Sequence, residues 1–334
     1  MNTLSYHCDI RRKEHPLQVA VLGCGRWGSF LAWYLDRIGH QVTLYGRPGS
    51  RTLAQLTATR QNDYLTLPAS IQLTDQLEAA QCAEVVVISI PTQQLQSLAE
   101  QLAALPLQGK PVVLCMKGVE IGTGRRLSQI ITDTLDPSNT PAVWIGPGHP
   151  QDFLRGIPNC MSIDSADNRV KHQLVDAFSS ELIRFYYGTD LIGNEIGAAA
   201  KNVIGIAAGL LDGFGIRALK GALMSRGTRE IGRLIAAMGG QERSAYGLCH
   251  LGDYEATLFS PHSHNRQFGE AWATGAPYDK LAEGYYTVQA LMTLAQRYQV
   301  ELPICQAVYD ILYRHADAAQ TLDGLFRRSL KDEN

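Results

Sequence analysis

The chain has 334 residues, 45% of them apolar, which is enough for one large or two ordinary domains with a proper hydrophobic core. Its 30 basic and 32 acidic residues leave a net charge of -2, so the composition excludes the strongly basic surface that nucleic acid or an anionic membrane requires. A small molecule is therefore the expected partner.

The sequence predicts neither a targeting signal nor a membrane span. Residues 1–16 are polar and charged and lack the apolar core of a signal peptide, so we expect a flexible N-terminal extension. The most apolar stretch, 192–215, is interrupted by Glu195, Lys201 and Asp212. The seven cysteines are scattered and form no Cys-x-x-Cys pair, which is typical of reduced thiols in a cytoplasmic protein and indicates no zinc site.

The first half of the chain alternates apolar strands with helical patterns. A strand is predicted at Gln18–Leu22, a helix follows over 27–38, and a second strand is predicted at Gln41–Tyr45. Further strands are predicted at 70–73, 84–90, 111–116, 142–145, 160–163 and 183–187. Apolar strands that are joined by helices predict a mostly parallel, doubly wound sheet whose two faces are covered.

After residue 189 the pattern becomes helical. Helices are predicted over 192–215, 218–238, 285–298 and 304–314, and no convincing strand follows. The sequence therefore predicts an α/β domain at 17–189 and an all-helical domain at 190–334.

A glycine motif lies directly after the first strand. Gly23, Gly25 and Gly28 fit the pattern G-x-G-x-x-G at the point where the strand leads into the helix. Glycines there let the backbone approach a pyrophosphate, whose charge is stabilised by the amides at the helix N-terminus. The alternative is an ordinary glycine turn, but the position between strand and helix favours dinucleotide binding.

The end of the second strand bears on the choice of cofactor. An NAD site usually has an acidic residue there, which binds the ribose hydroxyls. This chain instead reads Leu44-Tyr45-Gly46-Arg47-Pro48, with no carboxylate. Because Arg47 can pair with a 2′-phosphate, we expect NADP or NAD as the cofactor, with NADP favoured. The alternative is a solvated loop arginine.

The helix predicted over 192–215 carries a lysine among small and apolar residues. Such a helix is expected to be buried on most of its faces. Lys201 has no carboxylate within one turn, so its ammonium group must reach water, pair at long range or face a ligand. Burial lowers the pKa of a lysine, which suits a proton donor and acceptor near neutral pH. Both a water-exposed and a functional ammonium group are compatible with this pattern.

Other stretches place polar groups where ligands of open α/β folds collect, or in loops between helices. Lys117 follows an apolar strand, and so does Gly146-Pro147-Gly148-His149-Pro150. Residues 250–253 and 263–269 lie between predicted helices. Ser263 is predicted to cap a helix whose first amides can bind a phosphate.

Taken in order, these motifs resemble those of the cytosolic NAD(P)-dependent glycerol-3-phosphate dehydrogenases. The resemblance covers nearly everything after the N-terminal extension, and the order and spacing of its motifs are highly specific. It is carried by Gly-x-Gly-x-Trp-Gly at 23–28, Lys117-Gly118, Gly146-Pro147, 200–204, Asp212-Gly213, 251–253, Asn265-Arg266, Phe268-Gly269 and Glu283-Gly284.

The resemblance implies a Rossmann-like domain followed by a helical domain similar to the C-terminal domain of 6-phosphogluconate dehydrogenase. It implies reversible hydride transfer between NAD(P)H and dihydroxyacetone phosphate, giving sn-glycerol 3-phosphate for phospholipid synthesis. A helical second domain of this type often pairs with itself, which makes a homodimer the assembly to test.

The resemblance also implies roles for particular residues. Lys201 would exchange the proton with the C2 oxygen of the substrate, and Asp253 and Asn202 would hold this lysine in place. The substrate would be bound by Lys117, Gly146, Gly148, Ser263, His264, Asn265 and Arg266. The cofactor would be bound by Gly23, Gly25, Arg26, Trp27, Gly28, Arg47, Lys117, Pro150 and Glu283.

Two positions depart from the family pattern. The family usually has arginine at the place of His264 and threonine or serine at the place of Gly148. Histidine lacks the permanent charge and the fork of arginine, so either Arg266 or a neighbour takes over the substrate phosphate, or the substrate has changed. His262 and His264 have no further ligands at sensible spacing, so no metal site is predicted.

Three functions remain open from the sequence. The first is a glycerol-3-phosphate dehydrogenase, the second is a paralogous reductase of another small phosphorylated ketone, and the third is an inactive NADP-binding sensor or scaffold. Retention of Lys201, Asn202 and Asp253 argues against the third, because a mere binder does not need a buried lysine and its carboxylate.

Overall fold

The computed structural model describes residues 11–327 of the chain. The extension predicted at 1–16 lies partly outside this range, because residues 1–10 are not described. Residues 11–17 form no helix or strand, but the Lys13 amide donates to the carbonyl of Ile38 at 2.7 Å. The Lys13 ammonium group donates to the carbonyl of Asp176, also at 2.7 Å. The described part of the predicted extension is therefore fastened to the protein.

Among the described residues, eight strands form one sheet in the order β3-β2-β1-β4-β5-β6-β7-β8. The strands are β1 (Gln18–Leu22), β2 (Gln41–Tyr45), β3 (Gln72–Thr74), β4 (Val85–Ile88), β5 (Pro111–Leu114), β6 (Thr140–Ile145), β7 (Asn159–Ser165) and β8 (Ile183–Tyr187). Neighbouring strands are parallel except β6 and β7. Every residue of β4 and β5 is buried, as expected for a parallel sheet covered on both faces.

The helices that connect these strands complete a doubly wound α/β fold. They are α1 (Arg26–Arg37), α2 (Arg51–Thr59), α3 (Ala79–Cys82), α4 (Leu95–Ala103), α5 (Leu127–Thr134), α6 (Pro150–Leu154) and α7 (Asn168–Phe178). From β1 the chain builds outward to β3 on one side and then crosses to β4 on the other, which creates the switch point where such folds bind their ligands.

The antiparallel pairing of β6 with β7 is a feature that the sequence pattern does not reveal. Both strands are buried along most of their length, so neither shows an alternation of buried and exposed positions. A continuously buried strand looks the same whether its neighbour is parallel or antiparallel. The connection between them holds only α6, a helix of 5 residues, and returns the chain beside β6 in the opposite direction.

The second part of the described chain is helical. Its helices are α8 (Leu191–Gly213), α9 (Lys220–Ala237), α10 (His264–Thr274), α11 (Glu283–Tyr298), α12 (Pro303–Tyr313) and α13 (Ala318–Phe326). Every residue of α8 from Glu195 to Asp212 is buried, which confirms the prediction for this helix. By length and composition α8 is apolar enough to cross a membrane, but 94% of its most apolar window is buried inside the protein, as in a core helix.

The chain separates into two compact units. The sheet unit contains the described residues up to Met116 together with Arg126–Leu191. The helical unit contains Lys117–Arg125 together with the described residues from Ile192 onward. Residues 117–125 join the helical unit because Val119 belongs to its apolar core and Gly124 packs against Leu294. The sequence suggested one boundary, at 189/190, because so short a segment has no distinct composition.

Candidate active site

The predicted site residues fall into two groups. The sheet unit carries Gly23, Gly25, Arg26, Trp27, Gly28, Arg47, Gly146, Gly148 and Pro150. The helical unit carries Lys117, Lys201, Asn202, Asp253, Ser263, His264, Asn265, Arg266 and Glu283.

The glycine motif of the sheet unit forms a cradle that fits a dinucleotide. Gly23 has a φ of +114°, and a Cβ there would stand 2.1 Å from the carbonyl oxygen of Ser89. A Cβ at Gly28 would stand 1.8 Å from the carbonyl oxygen of Gly23. At Gly25, directly before α1, a Cβ would meet no atom within 4 Å. The turn itself requires Gly23 and Gly28, whereas Gly25 leaves open space at the helix N-terminus, the position at which dinucleotide-binding folds in general hold a pyrophosphate.

Arg26 and Trp27 open α1 beside this cradle. The guanidinium group of Arg26 lies 5.3 Å from the ring centre of Tyr64 and donates to Oε1 of Gln151 at 2.6 Å. The Trp27 ring packs on Phe30, with 5.1 Å between the ring centres. Both side chains are therefore held in place by neighbours within the sheet unit.

Arg47 lies two residues beyond β2 and is exposed. The next helix, α2, begins at Arg51, which is also exposed, and the hydroxyl oxygen of Ser50 caps it by accepting from the Leu53 amide at 3.3 Å. Two arginines thus flank a helix N-terminus, which is a favourable place for a phosphate. The sequence reasoning missed Arg51, although its position just after a capping serine was visible.

Gly146, Gly148 and Pro150 follow β6. Gly148 has a φ of +138°, and a Cβ there would stand 2.4 Å from the ring of Phe153. This ring is stacked on Phe30, with 5.1 Å between the ring centres. The departure from the family pattern at Gly148 therefore has a local cause, because an aromatic ring occupies the place of a side chain. Pro150 is the first residue of α6, where a missing N–H is tolerated.

In the helical unit, Lys201 pairs at long range. Its Nζ lies 2.8 Å from Oδ2 of Asp253 and donates to Oγ1 of Thr257 at 2.7 Å. The Lys201 side chain is 9% exposed. The structure therefore excludes the alternative in which the ammonium group extends into water.

Lys117 shares the same carboxylate. Its ammonium group donates to Oδ2 of Asp253 at 2.6 Å, so two cations meet one oxygen atom of a side chain that is 1% exposed. With both lysines protonated the cluster carries a net positive charge. In a buried setting such a charge stabilises an anion that binds or develops beside it.

Burial lowers the pKa of Lys201 to about 8. The carboxylate of Asp253 opposes this shift, and the ammonium group of Lys117 adds to it. An amine with this pKa can release and recover a proton near neutral pH.

Thr257 is a site residue that the sequence reasoning missed. It lies in a π-helical turn, Glu255–Phe259, and its hydroxyl donates to the carbonyl of Asp253 at 2.7 Å while accepting from Lys201. Single π-helical turns are frequent at functional sites. The available signal was spacing, since Thr257 follows Asp253 by one turn.

The family resemblance implies that Asn202 holds the Lys201 ammonium group in place, but the hydrogen bonds of the Asn202 side chain go to other residues. Its Nδ2 donates to the carbonyl of Lys117 at 2.9 Å, and its Oδ1 accepts from Nδ2 of Asn265 at 3.0 Å. Oδ1 of Asn265 in turn accepts from the amide of Gly284 at 2.9 Å. A backbone carbonyl at one end and a backbone N–H at the other fix the orientation of both side chains. The relay uses Oδ1 and one of the two N–H groups of the Asn265 amide, and the predicted contact of Asn265 with the substrate stays a prediction.

The N-terminus of α10 has the features predicted for a phosphate site. The Ser263 hydroxyl oxygen caps the helix by accepting from the Arg266 amide at 3.4 Å. His264 is the first helical residue and is partly exposed. The helix dipole and the N–H groups of the first turn favour an anion here.

Arg266 is engaged within the helical unit. Its Nη1 donates to Oδ2 of Asp212 at 2.7 Å and to Oε2 of Glu270 at 2.9 Å. Lys220 donates to the same oxygen of Asp212 at 2.7 Å. Burial raises the pKa of Asp212, but the bonds from Lys220 and Arg266 outweigh this and lower it. Arg266 therefore stabilises a buried carboxylate, and its predicted contact with the substrate stays a prediction.

Glu283 begins α11, directly before the Gly284 amide of the relay. Its predicted contact with the cofactor stays a prediction. Across residues 11–327 no group of three or more His, Cys, Asp or Glu side chains could hold a metal ion.

Comparison with known proteins decides the family. The family model for the NAD-dependent glycerol-3-phosphate dehydrogenase N-terminus matches residues 18–171, and the model for the C-terminus matches residues 190–323. The chain belongs to this family. It is 38% identical over 328 residues to the glycerol-3-phosphate dehydrogenase [NAD(P)+] of Bradyrhizobium sp. (strain ORS 278). The matched region covers 96% of this chain and 99% of that protein.

Two further relatives agree. Glycerol-3-phosphate dehydrogenase [NAD(P)+] 2 of Salinibacter ruber is 35% identical over 330 residues, covering 95% of this chain and 96% of that protein. The crystal structure of glycerol-3-phosphate dehydrogenase from Coxiella burnetii superimposes with a TM-score of 0.88 at 26% identity, covering 94% of this chain and 99% of that one.

Membership of the glycerol-3-phosphate dehydrogenase family confirms the resemblance seen in the sequence. It confirms three further predictions. The first is the fold class, the second is an NAD(P)-dependent oxidoreductase that acts on a small phosphorylated substrate, and the third is the link to phospholipid metabolism. The paralogous reductase and the inactive sensor receive no support from these comparisons.

The glycine cradle makes a prediction that separates cofactor binding from folding. Gly25→Ala places a methyl group in open space, so we expect unchanged thermal stability but at least a tenfold weaker affinity for NADPH in a fluorescence titration. Gly28→Ala, whose methyl group would meet a carbonyl oxygen, should lower the stability. NADPH affinity of the wild-type strength in Gly25→Ala would show that the cofactor does not bind over this turn.

Proposed function

We propose that this dehydrogenase transfers hydride reversibly between NAD(P)H and dihydroxyacetone phosphate, giving sn-glycerol 3-phosphate for phospholipid synthesis. The observation that carries the proposal is the cluster of Lys201, Lys117 and Asp253. A carbonyl that accepts a hydride needs a proton donor and a positive environment for its growing negative charge. An inactive dinucleotide-binding protein would not need two ammonium groups on one buried carboxylate.

Lys201 is the proposed proton donor. When bound, NAD(P)H supplies the hydride that the C2 carbon accepts. The Lys201 ammonium group transfers a proton to the C2 oxygen, and the amine recovers it in the reverse direction. Asp253 compensates the ammonium group for its lost hydration, and the Thr257 hydroxyl fixes a second N–H direction. When Lys201 has given up its proton, the positive charge of Lys117 and the negative charge of Asp253 balance, so the cluster is left neutral.

The sheet unit is proposed to hold the cofactor. Gly23, Gly25 and Gly28 with the N-terminus of α1 receive the pyrophosphate, and Arg26, Trp27 and Pro150 border it. Arg47 and Arg51 are placed to pair with a 2′-phosphate, which supports a preference for NADP over NAD.

The helical unit is proposed to hold the substrate phosphate. The N-terminus of α10, with Ser263 and His264, provides N–H groups and the positive end of a helix dipole. Lys117 adds a charge in the same unit. The fork and permanent charge of an arginine are missing at His264, which makes this residue the point where substrate affinity can be altered.

We further propose that the protein works in the cytoplasm as a homodimer. The six cysteines of the described range form no disulfide bond, which suits a reducing compartment. The helical unit exposes Tyr246, Phe259 and Leu281 by 46% or more, and such side chains are candidate contacts between two copies. Sedimentation equilibrium would measure the assembly.

Two matched lysine variants test the function. We expect the wild-type protein to oxidise NADPH faster than NADH with dihydroxyacetone phosphate, and Lys201→Met to lose about 1,000-fold in kcat with NADPH affinity nearly unchanged. Lys220→Met is the control, because Lys220 is also a buried lysine on a buried aspartate, with its side chain 8% exposed. It should be less stable and yet keep kcat within about threefold.

The outcomes separate the alternatives. A Lys201→Met protein with more than about a tenth of the wild-type kcat would remove Lys201 from the mechanism. Turnover only with another phosphorylated ketone would identify a paralogous reductase. NADPH binding with no turnover at all would identify a sensor or scaffold.

His264→Arg tests the phosphate site. Arginine is always charged and binds a phosphate with two parallel donors, so we expect KM for dihydroxyacetone phosphate to fall about threefold or more while kcat stays within twofold. Steady-state kinetics at fixed NADPH measures both. A higher KM would contradict the placement of the phosphate at the start of α10.

A further inference from the structure

A buried histidine and a buried tyrosine stand on either side of Asp253 in the sequence. His250 and Tyr254 are both 0% exposed. Nδ1 of His250 lies 2.8 Å from the carbonyl oxygen of Gly197 on α8, and Nε2 lies 2.6 Å from the hydroxyl oxygen of Tyr254. Neither side chain has a part in the proton transfer described above.

The hydrogen-bond partners determine how His250 is protonated. A carbonyl oxygen only accepts, so Nδ1 carries a proton and donates to Gly197. Burial lowers the pKa of His250 to about 4, so the ring is neutral at neutral pH and Nε2 accepts from the hydroxyl of Tyr254. One continuous chain of hydrogen bonds thus runs from Tyr254 through His250 to α8.

This chain ends one helical turn from Lys201. Gly197 precedes Lys201 by four residues, which is the spacing of a backbone hydrogen bond in an α-helix. A Cβ at Gly197 would stand 2.8 Å from Sγ of Cys249 and 3.2 Å from Cβ of His250. The missing side chain of Gly197 therefore lets the segment that carries His250 lie directly against α8.

Tyr254 fastens the other side of the same segment. Its hydroxyl oxygen lies 3.1 Å from the place of a Cβ on Gly227 of α9. Asp253, between His250 and Tyr254 in sequence, is thus carried by a turn that His250 fastens to α8 and that both side chains bring against Gly227 of α9. The charged groups that face the pair are Lys201 and Asp253 and, beside Tyr254, Glu230 of α9.

We propose that His250 and Tyr254 are positioning residues that hold the Asp253 carboxylate against the ammonium group of Lys201. This inference rests on the proposed function, because its purpose is to aim a proton donor. A misplacement of about 1 Å can cost a catalytic group about 100-fold in rate. A pair with a merely structural role would contribute to stability and leave the rate of the folded enzyme unchanged.

Tyr254→Phe removes the hydroxyl group alone. Tyr34→Phe is the matched control, because Tyr34 in the sheet unit is also 0% exposed and its hydroxyl donates to the carbonyl of Phe178 at 2.6 Å. We expect a lower melting temperature for both variants. The kcat with dihydroxyacetone phosphate should fall about tenfold in Tyr254→Phe and stay within about twofold in Tyr34→Phe, with NADPH affinity unchanged in both.

A second measurement does not depend on turnover. Competitive labelling with acetic anhydride, resolved by peptide mass spectrometry, gives the pH at which Lys201 becomes half reactive. Asp253 raises the pKa of Lys201, so a loosened Asp253 should move this midpoint to lower pH. The shift is expected in Tyr254→Phe and not in Tyr34→Phe.

The conservative variant of the histidine provides a rescue test. His250→Asn keeps a donor for the Gly197 carbonyl, whereas His250→Leu removes both hydrogen bonds. We expect His250→Asn to retain severalfold more kcat than His250→Leu. Equal losses in the two variants would count against the positioning role.

The outcomes distinguish this inference from the proposed function. A Tyr254→Phe protein that melts at a lower temperature but keeps the wild-type kcat and the wild-type labelling midpoint of Lys201 would overturn the inference. If the wild-type protein shows no turnover, the proposed function fails, and the labelling midpoints alone then decide whether the pair positions Asp253.

Discussion

The candidate active site of the helical unit depends on one carboxylate oxygen, because two lysines share it. Oδ2 of Asp253 meets Lys201 at 2.8 Å and Lys117 at 2.6 Å, in a side chain that is 1% exposed. Moving an ammonium group from water into a protein interior costs several kcal/mol of hydration free energy unless a partner offsets it. The interaction with this oxygen therefore stabilises both lysines in their positions. One carboxylate does not neutralise two cations. Burial and the ammonium group of Lys117 lower the pKa of Lys201 against the opposing effect of Asp253. With both lysines protonated, the cluster is suited to an anionic substrate.

The small residues of α8 allow this arrangement. A Cβ at Gly205 would stand 2.8 Å from the Thr257 side chain, and a Cβ at Gly209 would stand 2.0 Å from the carbonyl oxygen of Arg266. Larger residues at these places would push residues 249–270 away from the helix that carries Lys201. The glycines and alanines that make α8 look like a plain core helix are therefore also what brings Asp253 and Thr257 to the lysine.

Local sequence patterns allowed much of the fold to be predicted. They did not predict which side chains distant in sequence form contacts. The strand, glycine turn and helix over 18–38 follow from residues adjacent in sequence. Lys117 and Asp253 are 136 residues apart, and nothing in the pattern joins them. Asn202 was linked to Lys201 by the family resemblance, yet its amide bonds to a backbone carbonyl. The direction of β7 was hidden as well, because a buried strand has the same apolar run in either direction.

The pH dependence of the two reaction directions tests the central claim most directly. Reduction of dihydroxyacetone phosphate needs a protonated Lys201, whose pKa is lowered to about 8, and oxidation of glycerol 3-phosphate needs the free amine. The kcat/KM for reduction should therefore fall about tenfold per pH unit above about pH 8, while the kcat/KM for oxidation rises towards that pH and then levels off, because kcat/KM reports the ionisation of the free enzyme. A kcat/KM for reduction that stays constant from about pH 7 to about pH 9.5 would show that a group other than Lys201 supplies the proton.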